Sequence, residues 1–261
     1  MTADPTNDVP TVGELRDLAA TIAFEVGSEV GERRNAGFSW STKSTSTDVV
    51  TEIDTWAEEA VVERLLAARP NDGLLGEEGA SAAGTTGVLW IIDPIDGTTN
   101  LLYDLPGYSV SIGVELNGEP VAGAVYDPVR SELFSAGLGE GATRNSEVIS
   151  VSGADNVATA LVGTGFSYEA SDRKGQAEAL TTLLPRVRDI RRLGGAALDF
   201  CNVACGRMDA YFERGIKKWD GAAGGVIAKE AGAVVNLGDI SYAIAPGIAD
   251  DLIDLIAESN V

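Results

Sequence analysis

Three short stretches place carboxylates where they can do chemistry. The densest is Asp93-Pro94-Ile95-Asp96-Gly97-Thr98-Thr99-Asn100. Two aspartates three residues apart, with the Ile95 backbone carbonyl between them, offer hard oxygen ligands on one concave surface, and Mg²⁺ prefers all-oxygen coordination. Gly97 lets the backbone approach a ligand closely, and Thr98-Thr99 lead into a short helical stretch whose first N–H groups make a phosphate cradle. The same octapeptide also reads as a plain N-capped turn. Gly76-Glu77-Glu78-Gly79 sets a carboxylate pair just after a short apolar strand, and Trp219-Asp220-Gly221 sets an aspartate at the start of an Ala/Gly-rich helix. Taken alone, Glu77-Glu78 is equally a solvated turn and Asp220 an N-cap.

The composition narrows the chemistry. Histidine is absent from all 261 residues, which excludes Ser-His-Asp triads, His-based zinc sites and phosphohistidine. Acid–base work therefore falls to carboxylates, hydroxyls or metal-bound water. The net charge is -21, from 40 acidic and 19 basic residues. Such a field repels nucleic acid and anionic membrane, so neither is expected as a partner. Cys201 and Cys205 sit at helical spacing and read as small core side chains of a reducing cytoplasm. Cys201 to Arg207 also fits the Cys-x5-Arg spacing of thiolate phosphatases, but the segment reads as helix and Cys201 lies on its apolar face. The first residues carry neither a basic flank nor an apolar run of leader type, and no run is long enough to span a bilayer, so a cytoplasmic protein is expected.

The elements that must position these groups follow from periodicity. Val12 to Glu32 has helical apolar spacing. Phe38 to Thr47 reads as a loop or hairpin carrying Lys43, and Asp54 opens a second helix that ends at Arg69 to Gly73. Asp54 is there an N-cap or a participant in the chemistry. Val88 to Ile92 is a buried strand, and Pro94 holds Asp93 extended, so that both aspartates emerge in a turn at the strand end. Ser109 to Leu116 and Val121 to Tyr126 flank a strong hairpin signal at Asn117-Gly118. From Ala160 onward strands and helices alternate, which argues an α/β arrangement. A soft boundary near residue 153 divides an N-terminal α+β half, 1–152, from a C-terminal α/β half, 153–261, within one unit.

Together these segments resemble the inositol monophosphatase family, among the lithium-sensitive, metal-dependent sugar-phosphate phosphatases. Two signatures carry the resemblance, the aspartate-rich Trp90 to Asn100 and the Trp-Asp-x-Ala-Ala-Gly stretch Trp219 to Gly224. Lys43 to Asp54, Gly76-Glu77-Glu78, Leu193 to Ala197 and Asp209 to Glu213 match as well. The resemblance implies an αβαβα sandwich, with two sheets and helices between and outside them, in a homodimer. It implies two to three Mg²⁺ ions per site: a first held by Glu77, Asp93 and the Ile95 carbonyl, a second by Asp93, Asp96 and Asp220, and a weaker third by Glu77 and water. It further assigns phosphate to the Gly97 and Thr98 amides, orientation of the attacking water to Asp54 and Thr98, its activation to the metals and Glu77, and substrate hydroxyls to Asp96, Ala196, Glu213 and Asp220.

The substrate implied is a small phosphate monoester, foremost myo-inositol 1-phosphate. Fructose-1,6-bisphosphate, histidinol phosphate and nucleotide 3'-phosphates belong to the same family, and a non-catalytic regulator of the same fold is the rival class. Gly195 stands where some members carry a hydroxyl, so one polar contact to the substrate is expected to be missing. Lys43, in a metal-proximal loop, and the Lys217-Lys218 pair are further candidates for anion contact, or else solvated surface charges.

Overall fold

In this computed structural model residues 10–259 are described, and the expectation about the first residues of the chain falls on 1–9, outside them. α1 (Val12–Ala36) begins at a capping box, with the Thr11 hydroxyl taking the Glu14 N–H and the Glu14 carboxylate taking the Thr11 N–H at 2.8 Å. β1 (Trp40–Thr42) and β2 (Val49–Thr51) form the expected hairpin around Lys43. α2 (Glu52–Ala68) differs in one respect from the sequence expectation: Thr51 is its cap and Asp54 its third residue, closing a second capping box. β3 (Gly73–Gly76), β4 (Ser81–Ala82) and β5 (Val88–Asp96) follow, then α3 (Thr98–Leu102), β6 (Ser109–Leu116), β7 (Glu119–Asp127), β8 (Glu132–Gly137), β9 (Gly141–Arg144) and β10 (Glu147–Val148). Asn117 and Gly118 both take positive φ, 54° and 86°, the twist a two-residue hairpin needs. These strands make one eight-stranded sheet in the order β10-β9-β8-β7-β6-β5-β3-β4, antiparallel except where β3 runs parallel to β5.

The second half alternates as its pattern predicts: β11 (Leu161–Thr164), α4 (Ala170–Leu183), β12 (Asp189–Arg191), α5 (Ala196–Ala204), β13 (Ala210–Arg214), α6 (Lys218–Glu230), β14 (Val234–Asn236), β15 (Ile240–Ile244) and α7 (Ala249–Ser259). Five strands pair in the order β12-β11-β13-β15-β14.

Three apolar clusters glue five layers. α1 and α2 bury Leu15, Ile22, Val26, Val61 and Leu65 against one face of the large sheet. α5 and α6 fill the space between the sheets, with Phe200, Val203 and Ile227 meeting Val125 and Phe134 on one side and Tyr211 on the other. α4 and α7 close the outer face of the small sheet through Leu183, Leu252 and Ile256. Along β7, Ala124 and Tyr126 turn to the first cluster and Val125 to the second, the period of two that lets a sheet covered on both faces read as a continuous apolar run. The architecture is thus the αβαβα sandwich. Gly113 on β6 and Gly123 on β7 face each other in register. A Cβ on either would come within 2.6 or 2.7 Å of Ala222 or Ala223, so their bareness lets α6 settle onto the sheet. Among the described residues no helix is long and apolar enough to cross a membrane.

Candidate active site

The aspartate-rich segment does not leave the sheet as its proline suggests. β5 stays paired with β6 through Asp96, with Asp93 opposite Ser111 and Asp96 opposite Ser109, and the register shifts between them. Three steps on β5 oppose two on β6, which is a β-bulge, and Pro94, lacking an N–H, is tolerated there. In a regular strand residues three apart point to opposite faces. The extra residue re-aims the chain, so both carboxylates feel the charge of Asp220.

Glu77 reaches this place because β3 lies beside β5: Gly76 is level with Ile92, and the Glu77 N–H donates to the Ile92 carbonyl at 3.1 Å. Asp220 arrives with α6, where its carboxylate accepts the Lys217 N–H at 2.5 Å. As with Asp54, the helix starts earlier than a cap at Asp220 requires, and the aspartate is its third residue. Asp54 accepts the Thr98 hydroxyl at 2.9 Å and the Thr51 N–H at 2.9 Å, while the Ile95 carbonyl lies 3.0 Å from the same Thr98 oxygen. Gly97, at φ 89°, is the left-handed residue from which α3 starts. From the other half, the Ala196 and Ala197 N–H groups donate to Asp96 at 3.0 and 2.9 Å, and the Tyr211 hydroxyl donates to Glu213 at 2.7 Å.

The electrostatics are those of a site short of positive charge. Asp93 is 1% exposed and its Oδ1 has no hydrogen-bond partner. Burial, then the charges of Glu77, Asp96 and Asp220, push its carboxyl well above the usual range. Burial and Asp220 push Asp96 up to about 8, although two N–H donors oppose the shift. Burial chiefly, with Glu77 and Glu213 adding to it, raises Asp220 to about 7. Asp54 and Glu213 are also raised by burial, against the pull of their hydroxyl donors. The Lys43 ammonium bonds Glu77 at 2.8 Å and also Glu78. Burial works against its charge, yet the two glutamates outweigh that and hold it above an ordinary lysine.

Among the described residues no three carboxylates close on one point as they stand. The reason is visible in their partners: Glu77 is turned onto Lys43, Asp96 onto two amides and Asp220 onto its helix start. The donor set nevertheless fits a hard cation. It is all oxygen, it includes an orphaned buried carboxylate oxygen, and its members repel one another without a counter-charge.

The remaining candidates divide between this place and others. Lys218 pairs with Glu115 at 2.7 Å and lines a separate cavity with Ile91, Val114 and Leu237. Gly195 is packed so closely that a Cβ would stand 2.9 Å from both the Asp96 carboxylate and the Gly107 carbonyl. Cys201 is fully buried in α5, where desolvation pushes its thiol well up, the reverse of an activated thiolate. Glu58, by contrast, enters the site's surroundings unannounced: it accepts the Glu78 and Ala80 N–H groups. Only its position one helical turn after Asp54 sets it apart from the other acidic residues of α2.

Comparison with known proteins gives a consistent result. The inositol monophosphatase family profile matches residues 12–242. Inositol-1-monophosphatase SuhB of Mycobacterium tuberculosis is 44% identical over 273 residues, covering 94% of each chain. The solved structure of Mycobacterium tuberculosis SuhB superposes with a TM-score of 0.84 at 43% identity, over 97% of this chain and 98% of that one. A protein of Xylella fastidiosa named Nus factor SuhB is 45% identical over 204 residues, 78% of this chain and 73% of its own.

Proposed function

The chain belongs to the inositol monophosphatase family, and on that footing we propose that it is a Mg²⁺-dependent phosphomonoesterase of small polyol or sugar phosphates, with myo-inositol 1-phosphate the first candidate. The observation that carries this is the mutually repelling set of buried Asp93 and Asp96 and half-buried Asp220, with an Asp93 oxygen left without a partner. Such a set can stay ionised together only when cations neutralise it. Glu77, Asp93 and the Ile95 carbonyl would hold one Mg²⁺, Asp93, Asp96 and Asp220 a second, and Glu77 a looser third. Bound there, the ions supply charge neutralisation, polarisation of the phosphate and acidification of water.

The chain's own groups do the positioning. The Thr98 hydroxyl lies 2.9 Å from Asp54 Oδ1 and 3.0 Å from the Ile95 carbonyl. With its hydroxyl hydrogen given to Asp54, the Thr98 oxygen keeps lone pairs free to accept a hydrogen bond from the attacking water and orient it. The Gly97 and Thr98 amides bind the phosphate oxygens. Glu213, pinned by Tyr211, accepts a substrate hydroxyl, and the start of α5 at Ala196 forms the neighbouring wall. The lithium sensitivity, homodimeric assembly and cytoplasmic setting that the resemblance and composition imply belong to the same proposal.

A second reading rests on the relatives named Nus factor: a regulatory protein that keeps the fold without turnover. Phosphate release from a panel of inositol, fructose, histidinol and nucleotide 3'-phosphates with Mg²⁺ separates the two. The expected outcome is hydrolysis of at least one small monoester, with turnover lowered by orders of magnitude in folded Asp93→Asn and Asp220→Asn. No hydrolysis across the panel favours the regulator, and near-normal kcat in either variant sinks the ligand assignment.

A further inference from the structure

Glu58 is a buried carboxylate, 5% exposed, that no step above uses. It lies four residues after Asp54 on α2, so both project from the same face of the helix toward the reacting groups. Its two oxygens are both engaged: Oε2 accepts the Glu78 N–H and Oε1 the Ala80 N–H, each at 2.8 Å. Among the described residues no lysine or arginine forms an ion pair with it, so its charge is answered by backbone amides. The rest of the loop is tied as well. The Gly76 N–H donates to the Ala80 carbonyl at 2.7 Å and the Glu77 N–H to Ile92 at 3.1 Å. At Gly76 a Cβ would fall 2.2 Å from Glu58 Oε2, so the loop closes onto this carboxylate only because residue 76 has no side chain.

The peptide that Glu58 grips through the Glu78 N–H is the one immediately after Glu77. Gripping it fixes the backbone on the C-terminal side of Glu77, while the bond to Ile92 fixes the other side. The backbone from which the Glu77 side chain springs is then set before any ligand arrives, while the carboxylate itself rests on Lys43. Resting on the reading of Glu77 as a metal ligand, we propose that Glu58 is a positioning residue, which presets Glu77 by clamping the Glu78 and Ala80 amides and so governs how tightly the site takes Mg²⁺. It touches neither substrate nor ion. Partners of this kind typically alter metal affinity by about 10- to 100-fold.

The test uses full-length protein carrying Glu58→Gln, with Asp93→Asn as the reference. Glutamine keeps the shape but offers one acceptor, and its NH₂ would face an amide N–H, so one of the two bonds is lost. Calorimetric titration with Mg²⁺ should show affinity lowered about 10- to 100-fold, with KM for the monoester unchanged and kcat recovered at saturating Mg²⁺. Hydrogen exchange of metal-free protein should be faster at the Glu78 and Ala80 amides and unaltered in α1 and the sheet. Glu58→Ala, which loses both bonds, should exceed Glu58→Gln in each effect. Wild-type Mg²⁺ affinity in both Glu58 variants overturns the proposal if Asp93→Asn has lost binding. If Asp93→Asn also binds as wild type, the metal-site reading falls and this proposal with it. A kcat deficit in Glu58→Gln that saturating Mg²⁺ fails to restore overturns the positioning role as well.

Discussion

At the scale of single residues, the site is defined by what has no room as much as by what is present. Gly195 is the instance. Where some family members have a hydroxyl, a side chain here would press on Asp96, which is held in place by two amides, and on the Gly107 backbone. The missing hydroxyl is therefore a packing condition of this chain. Gly195→Ser should lower stability by about 1–3 kcal/mol, the usual cost of overpacking, and reduce kcat/KM by displacing Asp96. A urea-denaturation midpoint and kcat/KM both at wild-type values would show that the neighbours give way freely. The carboxylates themselves were legible as residue types and motif positions. That Lys43 lies on Glu77 and Glu78 and Lys218 on Glu115 was not. A lysine's partner depends on which distant surface it is folded against, and the sequence offers no local pattern for it.

At the scale of elements, two aspartates that read as helix caps are third residues of helices, and this changes what they do. An N-cap spends its carboxylate on amides of its own helix. Asp54, as third residue, closes the capping box with one oxygen, which takes the Thr51 N–H, and keeps the other for Thr98, 44 residues away. Thr51 is buried, and its hydroxyl accepts the Ile53 and Asp54 N–H groups at 3.1 and 3.4 Å while donating to Asp54. Thr51→Ala should cost about 1–2 kcal/mol as a lost cap and lower kcat with little change in KM, because Asp54 and Thr98 lose their fixed orientation. Thr51→Ser, which keeps the hydroxyl, should restore both. Equal losses in the two variants, measured by urea denaturation and steady-state kinetics, would contradict this account. The helices and strands were largely legible from periodicity and from Asn117-Gly118. The β5 bulge was not, because Pro94 signals extended backbone equally well at a strand end and inside a bulge.

At the scale of the molecule, folding buries charge that the unfolded chain leaves in water. Asp96 and Asp220 have folded-state pKa values of about 8 and about 7, against roughly 3.9 for an unfolded aspartate. Between these limits the native state binds more protons than the unfolded state, so metal-free stability must fall as pH rises through that window. On the proposed reading, Mg²⁺ would supply the missing charge. Its stabilisation should therefore be small near pH 5 and large near pH 8, and Asp96→Asn should flatten the metal-free slope above pH 6. Melting temperatures with Mg²⁺ or a chelator check this. A flat metal-free profile, or an equal Mg²⁺ gain at both pH values, would refute it. The sequence by itself determined the chemistry available: oxygen donors without histidine, the two signature stretches, and an α/β order of elements. Only the tertiary structure decided which carboxylates meet. Glu77 stands beside Asp93 because β3 pairs with β5, and Asp220 joins them because α6 settles on Gly113 and Gly123. These meetings depend on packing between layers far apart in the chain, a collective property that no local propensity encodes.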